Sequence, residues 1–235
     1  MCWSGEASAT LAAAGFLGTA YGAWRREPAA LWVTLGYFSL MEALQAFTYS
    51  VIDQCSLPSN QVATMLACFH IIFQPFFITA ISLHFINAGL AKKIEPFAYV
   101  LCFVNTLWML LQLYPFAWAG HCKLGEPICG EMLCSVRGNW HIAWSVPRNG
   151  MLSAYPTYFI VGFLMPLLYG SWRFMLFIIL SGPVLAQLST NNPNEWPAIW
   201  CILSVVLLLI VINTPVRSLM YNRHYWFWHR LAGDE

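Results

Sequence analysis

The chain has 235 residues, of which 59% are hydrophobic and 9% charged, with a net charge of +1. A soluble domain carries roughly 25% charged residues, so this chain cannot cover a globule with water-compatible surface. Its near-neutral balance also argues against nucleic acid as a partner.

The opening run, Met1-Cys2-Trp3-Ser4-Gly5-Glu6, lacks the basic region of a cleavable signal, so the first apolar stretch is expected to stay as a helix. A spanning helix needs about 20 mostly apolar residues. Seven segments approach that length: 7–23, 30–52, 61–87, 96–119, 149–170, 173–188 and 196–214. The sixth is short, and Gly182-Pro183 is expected to kink it. The fold class expected is therefore all-α, a polytopic bundle of about seven transmembrane helices forming one membrane domain over 1–235.

Lysine and arginine set the orientation. With the N-terminus outside and the C-terminus cytoplasmic, Arg25, Arg26, Lys92, Lys93, Arg173, Arg217, Arg223 and Arg230 lie inside. Only Lys123, Arg137 and Arg148 lie outside, all in the loop 120–148. Loops of that length often carry function or local structure. The tail 215–235 mixes bases with Tyr225-Trp226-Phe227-Trp228 and is expected to lie in the cytoplasmic interface, against membrane lipids.

This topology sorts the eight cysteines. Cys68, Cys102 and Cys201 fall inside helices, where a free cysteine behaves as a small apolar residue. Cys2, Cys55, Cys122, Cys129 and Cys134 face outward, where disulfides form. Two bridges among Cys55, Cys122, Cys129 and Cys134 would tie the long loop to the second outer connection and leave Cys2 over. Pairings cannot be read from sequence. Two alternatives stay open: a metal site from His121, Cys122, Cys129, Cys134 and His141, and a redox relay between Cys129 and Cys134.

Within the membrane, Glu42 is the one acidic residue in the middle of a span, which by default is a functional-site hypothesis. Ser39, Glu42, Gln45 and Tyr49 share one helical face. His70 and Gln74 share a face of the third helix, and Asn105, Trp108 and Gln112 one of the fourth. At 1.5 Å per residue, Glu42 and His70 both lie ~15 Å from the outer end. We therefore take Glu42 and His70 as candidate catalytic groups, with Ser39, Gln45, Tyr49, Gln74, Asn105, Trp108 and Gln112 lining a pocket. Inter-helix hydrogen bonding is the competing reading for the amides. Pro75 removes a backbone hydrogen bond beside His70 and frees carbonyls there. A transition metal on Cys2, Glu42 and His70 is a candidate cofactor. His84 repeats His70 at haem-like spacing, but no second helix carries histidine, so haem is disfavoured.

Four stretches carry a family resemblance: Met1-Cys2-Trp3-Ser4-Gly5-Glu6-Ala7-Ser8, the run from Met41-Glu42-Ala43-Leu44-Gln45 to Asp53-Gln54-Cys55, the segment from His70 to Phe76, and Gly138-Asn139-Trp140-His141. Together they make the chain resemble a family of bacterial multi-pass inner-membrane proteins to which no activity is attached. The resemblance implies a Gram-negative inner-membrane setting. Seven-helix ceramidase-like hydrolases share the size and orientation, but they bind zinc through histidines four apart on the last helix, and 196–214 has no histidine. Three functions stay open: a metal-dependent or redox enzyme acting on a lipophilic or small substrate, a small-solute transporter or receptor, and a structural or assembly subunit. Oligomeric state is not legible.

Overall fold

The computed structural model describes residues 3–151 and 154–222. The predicted leftover thiol, Cys2, and most of the predicted interfacial tail lie outside the described residues.

The described residues are mostly helical. Helix α1 (Gly5–Trp24) starts where the Ser4 hydroxyl accepts from the Ala7 amide at 3.3 Å. It packs on α2 (Ala29–Tyr49) through small residues: a Cβ on Gly15 would fall 2.0 Å from the Ser39 hydroxyl, and one on Gly22 would fall 3.1 Å from Trp32. Such stripes let apolar helices approach closely. Helix α3 (Pro58–His84) runs through Pro75 without a break. The Tyr37 hydroxyl donates to the His70 carbonyl at 2.5 Å and Thr106 donates to that of Ile72 at 3.2 Å, so side chains from α2 and α4 bond carbonyls in the turn before the proline.

Helix α4 (Ala88–Leu111) departs from the expected 96–119. It begins eight residues earlier, because the Asn87 side chain accepts from the Gly89 and Leu90 amides and caps it, carrying Lys92, Lys93 and Glu95 on its first turns. It ends before Pro115. The expected 149–170 becomes α5 (Ala154–Phe159), a π-helical segment π1 (Ile160–Leu164) and α6 (Met165–Leu168). The expected 173–188 becomes α7 (Trp172–Ile179), π2 (Leu180–Val184) and α8 (Leu185–Ser189). The Gly182-Pro183 irregularity is thus a π segment around the missing amide. Helices α9 (Trp196–Asn213) and α10 (Val216–Met220) follow.

Four of the described helices are long and apolar enough to cross a membrane: Pro58–His84, Ala88–Leu111, Trp172–Ser189 and Trp196–Asn213. Helices α1 and α2 match them in length without being among these four, and Pro156–Leu168 is a shorter apolar helix. Outward faces display large apolar side chains, among them Leu17, Leu40, Phe97, Val100 and Leu180, each more than half exposed. That is the surface a lipid solvent would meet.

The connections gather at two ends. At one end Arg217 bonds Glu27 at 2.6 Å, the Tyr221 hydroxyl meets the His84 ring at 2.5 Å, and Asn222 reaches the carbonyls of Phe85 and Gly170. The other end carries a hairpin, β1 (Cys134–Arg137) paired antiparallel to β2 (Ile142–Ser145), with Cys134 opposite Ser145. Its edges are covered. Asn60 brackets Ser135 with two hydrogen bonds of 2.9 Å, and the Trp144 amide donates to the Asn194 carbonyl at 3.1 Å. Disulfides join Cys55 to Cys134 and Cys122 to Cys129, so the long segment is tied to the α2–α3 connection.

Candidate functional site

The polar face of α2 turns toward α1 and the hairpin. Ser39 bonds back to the Leu35 carbonyl at 2.7 Å, facing Gly15. Farther along, the Gln45 Oε1 and the Tyr49 hydroxyl each meet a ring nitrogen of His141 at 2.5 Å. His141 is fully buried, with the Trp3 ring edge-on to it, and burial pushes its imidazole pKa down to about 3. It is held neutral, with both nitrogens partnered.

Glu195 fixes the hairpin turn from which His141 projects. Its fully buried carboxylate accepts from the amides of Asn139 (2.8 Å), Trp140 (2.7 Å) and His141 (3.0 Å), and from Thr190 at 3.2 Å. A Cβ on Gly138 would fall 2.3 Å from the Glu195 carboxyl carbon, so this approach needs glycine. Glu195 was not a candidate from sequence, since it sits in a short connection 54 residues away from its partner. The only signal was the Gly138-Asn139-Trp140-His141 run.

Glu42 and His70 are not hydrogen-bonded to one another. Both carboxyl oxygens of Glu42 are buried without a hydrogen-bond partner among the described residues. The Ser8 hydroxyl, near this carboxyl, accepts from the Trp3 indole at 2.7 Å. The His70 ring stacks on Tyr37 with centroids 3.9 Å apart, and its Nε2 has no partner among the described residues. It lies on a shallow groove between α2 and α3 lined by Leu40, Leu66, Phe69 and Phe73. Asn105 is buried on α4, donating to the Met109 sulfur at 3.4 Å, and the Trp108 indole nitrogen has no partner.

Gln74 and Gln112 open onto a different space. A narrow cavity of ≈ 70 Å³ lies between α3, α4, α5, both π segments, α8 and α9, with apolar walls that include Ile71, Phe163, Pro183 and Trp200. Gln74 accepts from the Tyr158 hydroxyl at 2.5 Å and donates to the Cys201 sulfur at 3.4 Å. Gln112 accepts from Arg148 Nη1 at 2.7 Å. Phe163 lies in π1 and Pro183 in π2, and π segments are frequent where helices are shaped for function. A Cβ on Gly182 would fall 1.8 Å from the Trp200 ring, so that glycine seats the indole against the cavity. Ser39, Gln45, Tyr49, Asn105 and Trp108 do not line this space.

Among the described residues no group of three His, Cys, Asp or Glu side chains comes together to hold a metal. The outer metal set is corrected, because its three cysteines are all in disulfides. So is the Cys129–Cys134 relay: each is bonded elsewhere, Cys129 to Cys122 and Cys134 to Cys55. Of the set Cys2, Glu42 and His70, the last two are apart and Cys2 lies outside the described residues.

Fold and site together define a helical protein with membrane-type apolar helices, a disulfide-clasped hairpin end and an internal apolar cavity. Residues 6–221 match the family of unknown function DUF5765, and the chain belongs to that family. No curated protein and no solved structure matches it.

Proposed function

We propose that this is a seven-crossing protein of the bacterial inner membrane that binds a lipophilic molecule in the cavity between α3, α4, α5 and α9. The disulfide-linked end would face outward, as disulfides require an oxidising compartment. Arg25, Arg26, Lys92, Lys93, Arg173 and Arg217 would face the cytoplasm. The observation that carries the function is the lining of the cavity: aromatic and aliphatic side chains, with a few convergent polar groups in Gln74, Gln112 and Arg148. Ligand pockets of small molecules have this make-up. Binding is favoured over proton transfer by Glu42 and His70, since that pair shares no hydrogen bond.

Protein purified in mild detergent should retain about one copy of a lipophilic species, read by native mass spectrometry and identified after organic extraction. Ala186→Phe places a ring in the cavity wall and should lose that species while keeping its fold. Retention of only bulk lipid, or equal retention by the variant, would contradict the reading.

A further inference from the structure

Arg148 lines the same cavity, and its side chain is only 9% exposed. A buried guanidinium is costly unless its donors are satisfied and its charge is balanced. Its hydrogen-bond acceptors here are neutral: Gln112 Oε1 at 2.7 Å from Nη1, and the Pro127 carbonyl at 3.0 Å from Nη2. Among the described residues Nε has no partner. The carboxylate of Glu126 stands 3.6 Å from Nη2 and is 31% exposed, longer than a charge-assisted hydrogen bond and partly in water. Cys68 also lies on the cavity wall.

Arg148 is also at the right place along the bundle. The next residue, Asn149, bonds the carbonyls of Leu111 and Tyr114 at the end of α4, which fixes Arg148 at the disulfide-linked end. From there the cavity runs inward to Gln74 and Trp200, inside their helices. A charged end with planar bidentate donors, followed by an apolar chamber, is complementary to an amphipathic molecule with one anionic group.

We infer that the cavity takes an amphipathic anion, a hydrocarbon chain ending in a carboxylate or phosphate, with Arg148 and Gln112 holding the anionic end and Phe163 and Trp200 enclosing the chain. This rests on the proposed binding function and adds the charge of the ligand and the direction in which it lies. Glu126 then serves as the counter-ion of the empty site and is displaced toward water when the anion enters.

The experiment titrates full-length detergent-purified protein with brominated stearic acid, its methyl ester and brominated octadecyl phosphate. The readout is quenching of tryptophan fluorescence that is lost in Trp200→Phe. The acid, the phosphate or both should bind at least about tenfold more tightly than the ester. Arg148→Gln should erase that difference. Arg148→Lys keeps the charge without the fork and should retain part of the preference, which covers the case in which Arg148→Gln fails to fold. Equal binding of acid and ester by the wild type would overturn the anion assignment while leaving the lipophilic pocket standing. Binding of none of the three would overturn the pocket itself.

Discussion

His141 and His70 are buried in the same bundle, but their surroundings differ. The His141 ring has Tyr49 on one nitrogen and Gln45 on the other, and its backbone amide is bound by Glu195. The His70 ring rests on Tyr37 and its Nε2 has nothing to bond among the described residues. The first arrangement closes a network between α2, the hairpin and the segment before α9. It acts as a clasp, since both ring nitrogens of His141 and both carboxylate oxygens of Glu195 are met, and moving one member would strip several others. The second leaves a polar atom on an aromatic face with no network behind it. A buried histidine is therefore weak evidence of chemistry until its partners are known.

That contrast is open to direct attack. The largest effect is expected from Glu195→Ala, which strips the partner from the buried His141 amide and the half-buried amides of Asn139 and Trp140 and should cost about 3–5 kcal/mol, seen as a fall in Tm of roughly 10 °C. Gly138→Ala pushes a Cβ into the same carboxylate and should cost a similar amount. The double variant should be little worse than either, because both break one contact.

A smaller effect concerns pH. The His141 pKa is about 3 in the folded protein, against about 6.5 when unfolded. Between those values the unfolded chain takes up a proton that the buried ring refuses, so stability falls as pH drops. From pH 7 to pH 5 this should remove about 2 kcal/mol, and His141→Gln should lose that part of the pH dependence in thermal unfolding. The smallest effect is expected at His70. His70→Phe keeps the stack on Tyr37 and removes an unpaired nitrogen, so the melting temperature should shift by less than about 1 kcal/mol equivalent. A loss there as large as at Glu195 would erase the contrast.

Much of the architecture is legible in the sequence, because apolar segment length is a direct consequence of the solvent. Each expected apolar segment contains helix, and the four cysteines expected to bridge do so. The start of α4 was hidden by Lys92, Lys93 and Glu95, charges that read as loop but sit on the first turns of a capped helix. The site was less legible, for a geometric reason. Spacing places Ser39, Glu42, Gln45 and Tyr49 on one face and gives their depth, but it does not say what that face meets. Helix rotation points it at α1 and His141 and leaves His70 to Tyr37. Glu195 and Arg148 escaped because their partners are distant in sequence and each sits outside a regular span. The Gly138-Asn139-Trp140-His141 run and the Gly182-Pro183 pair were visible signals whose meaning needed the fold.

The central claim is that the cavity beside Gln74 and Trp200 is a binding chamber. A density map of the protein purified in mild detergent tests it most directly. The account predicts an elongated density inside the cavity, flanked by Phe163 and Trp200, with one end within hydrogen-bonding reach of Arg148. A cavity closed by repacked side chains, with Arg148 turned to water, would contradict it.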